Sequence, residues 1–371
     1  MRILHTGDWH IGRKMNGLDL LEDQEYILEQ LFTYIDKEDI DLVVVAGDIF
    51  DRANPSQAAL KLANDALVKI NIELGKKLII ISGNHDSRER INYGSEWFKS
   101  TDFYINTDLD KVHEPVSIDD VDFYLIPHID VLEARVYFED ESIESHEDAY
   151  QKIVEKISKV MNKDRTNIAV GHLYLSGSIE SDSERPLSMG LSEAVSVDTF
   201  KDFDYTLLGH LHHPFAVNHD KAFYSGSLLK YSFSEVKQPK GFRLIDTSDK
   251  KVTFVPLTPK HDLVYHQGTF EDLVNREVTF EDKDAYYKFE LSNMAGISEP
   301  MSKVRLLYPN TLELKPLIEE QNNDLKQIDI SKVNDREIFE AFINQTLDRE
   351  VTEFEFEMFK NYFVGEDNET D

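Results

Sequence analysis

The chain contains no cysteine, which excludes disulfides and thiolate metal sites, so any metal has to be held by oxygen and imidazole nitrogen. It lacks any run of about 18 consecutive apolar residues, the length a membrane-crossing helix needs. The N-terminus passes from Met1-Arg2-Ile3-Leu4-His5 straight into a strand-like segment without a signal-peptide pattern, and a cytoplasmic location is expected. Basic residues are scarce: 40 Lys and Arg face 71 Asp and Glu, a formal net charge of -31. Nucleic-acid enzymes ordinarily meet phosphate with a basic surface, so this balance weakens a nucleic-acid reading. Part of the excess is local, because residues 319–371 hold sixteen acidic and five basic residues, or -11. Bound divalent cations offset acidity at the phosphate itself, so the reading survives.

What is present is a chain of 371 residues, 41% hydrophobic, enough for one large core and a second, smaller domain. Apolar, β-branched runs at residues 2–7, 41–47 and 77–83 alternate with helical periodicity over 22–37 and 56–74, which is βαβ grammar. Further strands are predicted at 122–127, 167–171, 204–209, 222–227, 241–246 and 251–257, with a helix over 146–161. The fold class is α/β, a layered and partly parallel sandwich over residues 1–260. Residues 261–320 read as a small α+β domain, with strands at 264–270, 277–280, 285–291 and 304–308 and a short helix at 300–303. An acidic linker follows at 321–333, then a helical segment at 334–363, whose apolar face needs a partner, and a disordered tail at 364–371.

Five apolar runs end in glycine, and each glycine precedes a potential metal ligand: Gly7-Asp8, Gly47-Asp48, Gly83-Asn84, Gly171-His172 and Gly209-His210, from only 16 glycines in all. Two carry a second donor, giving Asp8-Trp9-His10 and His210-Leu211-His212. Strand ends in an α/β sheet converge on one crevice, and a residue without Cβ lets the backbone turn so that the next side chain aims into it. A single histidine there is ordinarily structural. Five strand ends that each deliver an oxygen or imidazole donor are not explained by core packing. Seven donors suit two divalent cations that share one carboxylate about 3.5–4 Å apart, activate water and clamp phosphoryl oxygens in an in-line displacement. Asp48 is the candidate bridge, because its strand is the most apolar of the set and so central. Asp8, His10 and His212 are assigned to one ion, and Asn84, His172 and His210 to the other. Mixed nitrogen and oxygen ligation leaves Mn²⁺, Fe²⁺ and Zn²⁺ open.

His85 follows Asn84 directly and is placed to protonate a leaving group; Asp51 is expected to orient its imidazole through the carboxylate. No serine or lysine stands as nucleophile, so hydroxide formed at the metals is expected to attack phosphorus. Arg13, Lys14, Arg52, Arg88 and Arg90 lie just past ligand-bearing strand ends, where cations hold DNA phosphates, although solvated surface positions are the plain alternative. Asp86 reads equally as a cap for the turn or helix that follows, Trp9 as packing, and His5 as a core residue of the first strand. His113, His128, His219 and His261 have no motif that gives them a role.

Taken in order, Gly7-Asp8-Trp9-His10, Gly47-Asp48-Ile49-Phe50-Asp51, Gly83-Asn84-His85-Asp86, Gly171-His172 and Gly209-His210-Leu211-His212 resemble the calcineurin-like metallophosphoesterases. Within that superfamily the chain looks like the SbcD-type nuclease subunits, through residues 2–12 and 45–51, Ser225-Gly226-Ser227 and Tyr231-Ser232-Phe233-Ser234. The resemblance spans most of residues 1–260. It implies an α/β/β/α sandwich and a Mn²⁺-using double-strand exonuclease that also cuts single strands and hairpins. It implies a homodimer joined to a coiled-coil ATPase of the SbcC type in a heterotetramer that serves DNA repair, recombination and replication. By the same likeness, residues 261–320 are a DNA-facing cap and 334–363 dock on the ATPase. A phosphomonoesterase or cyclic-nucleotide phosphodiesterase of the superfamily is the alternative, but it needs neither cap nor tail helix. The intact donor set argues against a scaffold that has lost its metals.

Overall fold

Strands that are apolar at nearly every position need cover on both faces. The computed structural model describes residues 1–184, 193–317, 336, 339, 340, 343 and 349–363, and it supplies that cover. One sheet has six strands, in the order Lys251–Pro256, Gly241–Asp246, Arg2–Thr6, Leu42–Ala46, Lys77–Ile81, Phe103–Asn106. The last four run parallel, while Gly241–Asp246 is antiparallel to both its neighbours. A second sheet has the order Ala222–Tyr224, Tyr205–Gly209, Thr166–His172, Val121–Ile126, Val116–Ile118. Its first four strands are parallel.

The period of two along each strand sorts its side chains between two cores. Ile3, Leu42, Val44, Ile79 and Ile81 meet Phe123, Leu125, Ile168, Val170 and Leu207 of the other sheet. One residue out of phase, Leu4, Val43, Val45, Leu78 and Ile80 face Ile27, Leu28, Leu31 and Ile35 of helix Leu21–Lys37 and the alanines of helix Gln57–Val68. Helix His146–Ser158 covers the second sheet through Tyr150, Ile153 and Ile157. The layers are helix, sheet, sheet, helix, with each buried aliphatic side chain worth about 1.5–3 kcal/mol. Ser56 starts helix Gln57–Val68 by accepting the Ala59 N–H. The run expected to Leu74 continues as one wider, π-type turn over Lys69–Glu73. No described helix is long and apolar enough to cross a membrane.

The chain divides into two compact units, residues 1–317 and 318–371. Within the first, strands Leu263–Thr269, Tyr286–Ser292 and Thr311–Pro316 form a parallel sheet around its own core of Phe270, Leu273, Tyr287, Phe289 and Val304. Two predicted strands fail here. Residues 277–280 are irregular, and 304–308 belong to helix Pro300–Arg305 and the turn after it. Their apolar side chains fill the core instead: Phe280 lies within 5.9 Å of the rings of Tyr287, Phe289 and Tyr308. Parallel strands need crossovers, and helices Phe270–Val274 and Pro300–Arg305 provide them. The predicted linker 321–333 and tail 364–371 lie outside the described residues. In the second unit the predicted helical run is broken at 349–352, before helix Glu353–Phe363. Phe339 stacks on Phe359 at 4.3 Å.

Candidate metal centre

The topology brings the glycine-terminated strand ends together. Arg2–Thr6, Leu42–Ala46 and Lys77–Ile81 are neighbours in one sheet and lead into Asp8, Asp48 and Asn84; Thr166–His172 and Tyr205–Gly209 are neighbours in the other and deliver His172 and His210. The Asp8, His10 and His212 donor atoms lie within 4.8 Å of one another, as do those of Asp8, Asp48 and His172. His10 Nε2 and His212 Nε2 stand 3.0 Å apart. Asn84 Oδ1 is 3.0 Å from His172 Nε2 and 3.1 Å from His210 Nδ1. Asp48 Oδ2 sits between the two groups, 3.7 Å from His10 Nε2 and 3.4 Å from His172 Nε2. All seven predicted ligands share this pocket.

The backbone is forced into this arrangement. Asp8, His10, Asp48 and His210 all have positive φ, of 51°, 44°, 52° and 98°, a region that residues with a Cβ occupy only when the surroundings compel it. The glycines serve close approach as much as turning. A Cβ at Gly83 would lie 2.1 Å from Asp48 Oδ1, and one at Gly209 would lie 2.0 Å from the Ala46 carbonyl oxygen. His172 Nδ1 lies 2.8 Å from that same oxygen. Donating there places a ring proton on Nδ1 and turns Nε2 into the pocket.

Burial pushes Asp8 up to about 7 and holds His10 and His210 well below the usual imidazole range, hence neutral. Burial would also raise Asp48, but His172, His10 and His85 outweigh it and hold that carboxyl well below its ordinary value. For His172 burial acts downward, and Asp48 and Asp8 reverse it to about 9. Buried carboxylates and imidazole lone pairs aimed at common points, with no sulfur, fit divalent cations. The candidate ligands are Asp8, His10 and His212 for one ion, Asn84, His172 and His210 for a second, and Asp48 between them.

His85 stands at the edge of the pocket, its ring 4.8 Å from that of His10 and its backbone N–H donating to Asp48 Oδ1 at 2.8 Å. The orienting contact differs from the predicted one: His85 Nδ1 is 2.8 Å from the Asp51 backbone carbonyl, while the Asp51 carboxylate takes Arg13 at 2.9 Å and Arg52 at 3.5 Å. The five cations also separate. Arg13 is held by Asp51 and by the Ser183 carbonyl, and Arg88 by Glu133 and the His128 carbonyl. Both guanidinium groups are thus paired within the protein. Lys14 and Arg90 are exposed, and the Arg52 side chain is 66% exposed.

Several groups around the pocket escaped the sequence reading. Asp86 does not cap the next helix, a role taken by Ser87. Its carboxylate instead accepts the N–H groups of Ile49, Phe50 and Gly83 and ties two ligand loops together. Gln24 donates to the Trp9 and His10 carbonyls and accepts the Gly12 N–H, and Tyr231 donates to the Trp9 carbonyl. Tyr231 was visible as part of a motif without a role; Gln24 carried no signal. The His128 ring lies nearly parallel to His210 at 6.5 Å. Trp9 is buried packing, and His5 is buried between the sheets, where desolvation takes it down to about 3.

Comparison with known proteins gives the family. The family described as calcineurin-like phosphoesterase matches residues 1–214. A curated relative, the SbcD subunit of the SbcCD nuclease of Staphylococcus epidermidis, is 40% identical over 364 residues, covering 97% of each chain. Among solved structures, TT1561 of Thermus thermophilus has a TM-score of 0.40 at 14% identity, covering 69% of this chain and 98% of that one. A dimetal phosphatase from Danio rerio has a TM-score of 0.39 at 11% identity, covering 66% and 91%. A family match over more than half the chain and a near full-length relative, with strand-end candidate ligands in the predicted order, make this chain a member of the calcineurin-like phosphoesterases, in the family of SbcD nuclease subunits.

Proposed function

We propose that this chain is a cytoplasmic, Mn²⁺-dependent DNA nuclease, a double-strand exonuclease and single-strand or hairpin endonuclease that hydrolyses phosphodiester bonds with two metals. The observation that carries this is the convergence of seven donors, Asp48 among them, with His85 beside them. Bound cations supply Lewis-acid activation of water and neutralise charge on the phosphoryl oxygens. The protein's own part is to hold them, exclude bulk water and move one proton. The Asp51 carbonyl accepts a hydrogen bond from Nδ1–H of His85 and fixes the ring, so that Nε2–H is directed to protonate the departing sugar oxygen.

The wider assembly follows the relative's name, a subunit of SbcCD. We assign residues 261–320 as the DNA-facing cap, 321–333 as a linker and 334–363 as the segment that docks on an SbcC-type ATPase in repair and recombination. The described part of that segment leaves Phe354 71% exposed. Lys14, Arg52 and Arg90 are the cations best placed for phosphate. An exposed apolar face supports a homodimer: Tyr93 and Trp97 are 77% and 73% exposed beside Val68 and Ile72, around a groove of about 740 Å³.

The test is cleavage of labelled duplex, single-strand and hairpin DNA with Mn²⁺ or with EDTA. The expected result is Mn²⁺-dependent cutting of all three. Hydrolysis of a small phosphate ester with no cutting of any DNA would support the phosphomonoesterase or cyclic-nucleotide reading instead.

A further inference from the structure

Buried groups with no part in the chemistry above gather behind His212. Its Nε2 faces His10, so the lone pair meets a cation only when the ring proton sits on Nδ1. That nitrogen lies 2.7 Å from Ser183 Oγ and 3.4 Å from Glu235 Oε1, and Ser183 Oγ is itself hydrogen-bonded to Glu235 Oε1. One arrangement satisfies every group: Nδ1–H donates to Ser183 Oγ, and the Ser183 hydroxyl donates to the Glu235 carboxylate. Glu235 is fully buried, and its charge is met by Lys240 Nζ at 2.6 Å. Lys240 also donates to the His212 carbonyl at 2.9 Å and to Ser227 Oγ at 3.0 Å. Glu184 accepts the His212 backbone N–H at 2.6 Å.

His212 is therefore fixed at its ring, its N–H and its carbonyl. The other candidate ligands differ. His172 Nδ1 rests on a neutral backbone carbonyl, and His10 Nδ1 has no partner among the described residues. A buried ion pair is weak support for stability in itself, whereas an acceptor behind a metal-bound imidazole fixes its tautomer and raises its basicity.

We propose that Glu235, acting through Ser183, is a positioning residue for His212, and that this relay sets the affinity of the Asp8–His10–His212 site independently of the Asn84–His172–His210 site. The inference rests on the two-metal reading. Loss of such a partner weakens metal binding about 10–100-fold.

The experiment is Mn²⁺ titration of the full-length protein, followed by the electron paramagnetic resonance of free Mn²⁺, with the melting temperature of each metal-free variant measured alongside. Glu235→Gln alone would strand the Lys240 charge, so it is paired with Lys240→Met; Ser183→Ala leaves the ion pair intact and is read separately. Wild type is expected to bind two Mn²⁺. In Ser183→Ala and in the double variant one site weakens about 10–100-fold and the other keeps its affinity, with the Ser183→Ala melting temperature unchanged. Ser183→Thr, which keeps the hydroxyl, retains both. Unchanged binding in Ser183→Ala, or equal weakening of both sites, overturns the relay while the two-metal reading stands. A wild type that binds no Mn²⁺ overturns both.

Discussion

His85 Nδ1 lies 2.8 Å from the backbone carbonyl oxygen of Asp51, whose carboxylate pairs with Arg13 at 2.9 Å. A carbonyl orients the ring without adding charge. His85→Gln removes the proton donor, and cleavage in Mn²⁺ is expected to fall by a factor of about 10²–10⁴ with metals still bound. Asp51→Asn keeps the carbonyl, so its kcat is expected within about tenfold of wild type, or about 1.4 kcal/mol of barrier. Equal losses in the two variants would return the orienting role to the carboxylate.

Gly209 leaves no space for a methyl group, since a Cβ would lie 2.0 Å from the Ala46 carbonyl oxygen and 2.9 Å from His172 Nδ1. Gly209→Ala presses on the contact that holds the His172 ring. Urea unfolding is expected to show a loss of about 1–3 kcal/mol or more, together with weaker Mn²⁺ binding. A variant with the wild-type urea midpoint would contradict the close approach of the two sheets.

The pocket titrates in the direction of metal uptake. Burial takes Asp8 up to about 7, and Asp48 takes His172 to about 9 against the lowering effect of burial. Both folded values exceed the ordinary 3.8 and 6.5. The stability these protons contribute to the metal-free protein is fully present below those ordinary values and is lost as pH rises through about 7 and about 9. Asp48, held low, contributes in the opposite sense, but only in the acid range. Cations displace the same protons, so Mn²⁺ affinity rises with pH. The gain in melting temperature on adding Mn²⁺ is therefore expected to be larger near the upper of these values than between the two ordinary ones. An equal gain at both would contradict the assignment of Asp8 and His172 as ligands.

Tyr93 and Trp97 project from a groove rimmed by Val68 and Ile72. Large exposed apolar patches mark interaction surfaces. Replacing both aromatic residues by aspartate is expected to convert a dimer into a monomer in sedimentation velocity, with Mn²⁺ binding unaltered. A wild-type chain that sediments as a monomer would remove this face from the assembly.

What could be read in advance was the local part. A strand, a glycine and a donor form a contiguous signal, and the topology needed only to gather five of them. Continuous apolar runs at Leu42–Ala46 and Lys77–Ile81 announced strands buried on both faces. The rest depended on partners distant in sequence. The pairing of Arg88 with Glu133 is not visible in the local sequence, and Glu235 means nothing without Ser183 and Lys240. Which group of Asp51 meets His85 depends on a backbone path through Asp48 at φ 52° that residue types do not specify. The short apolar run at 304–308 fits a strand or a buried helix end equally well by periodicity, and Val304 and Tyr308 proved to be core residues on a helix and its following turn.

The most direct measurement is anomalous diffraction at the manganese edge from crystals grown with Mn²⁺. Two peaks are expected where the strand ends converge, one among Asp8, His10 and His212 and one among Asn84, His172 and His210, with the Asp48 carboxylate reaching both. A pocket without peaks, or one whose side chains are directed apart, would contradict the account.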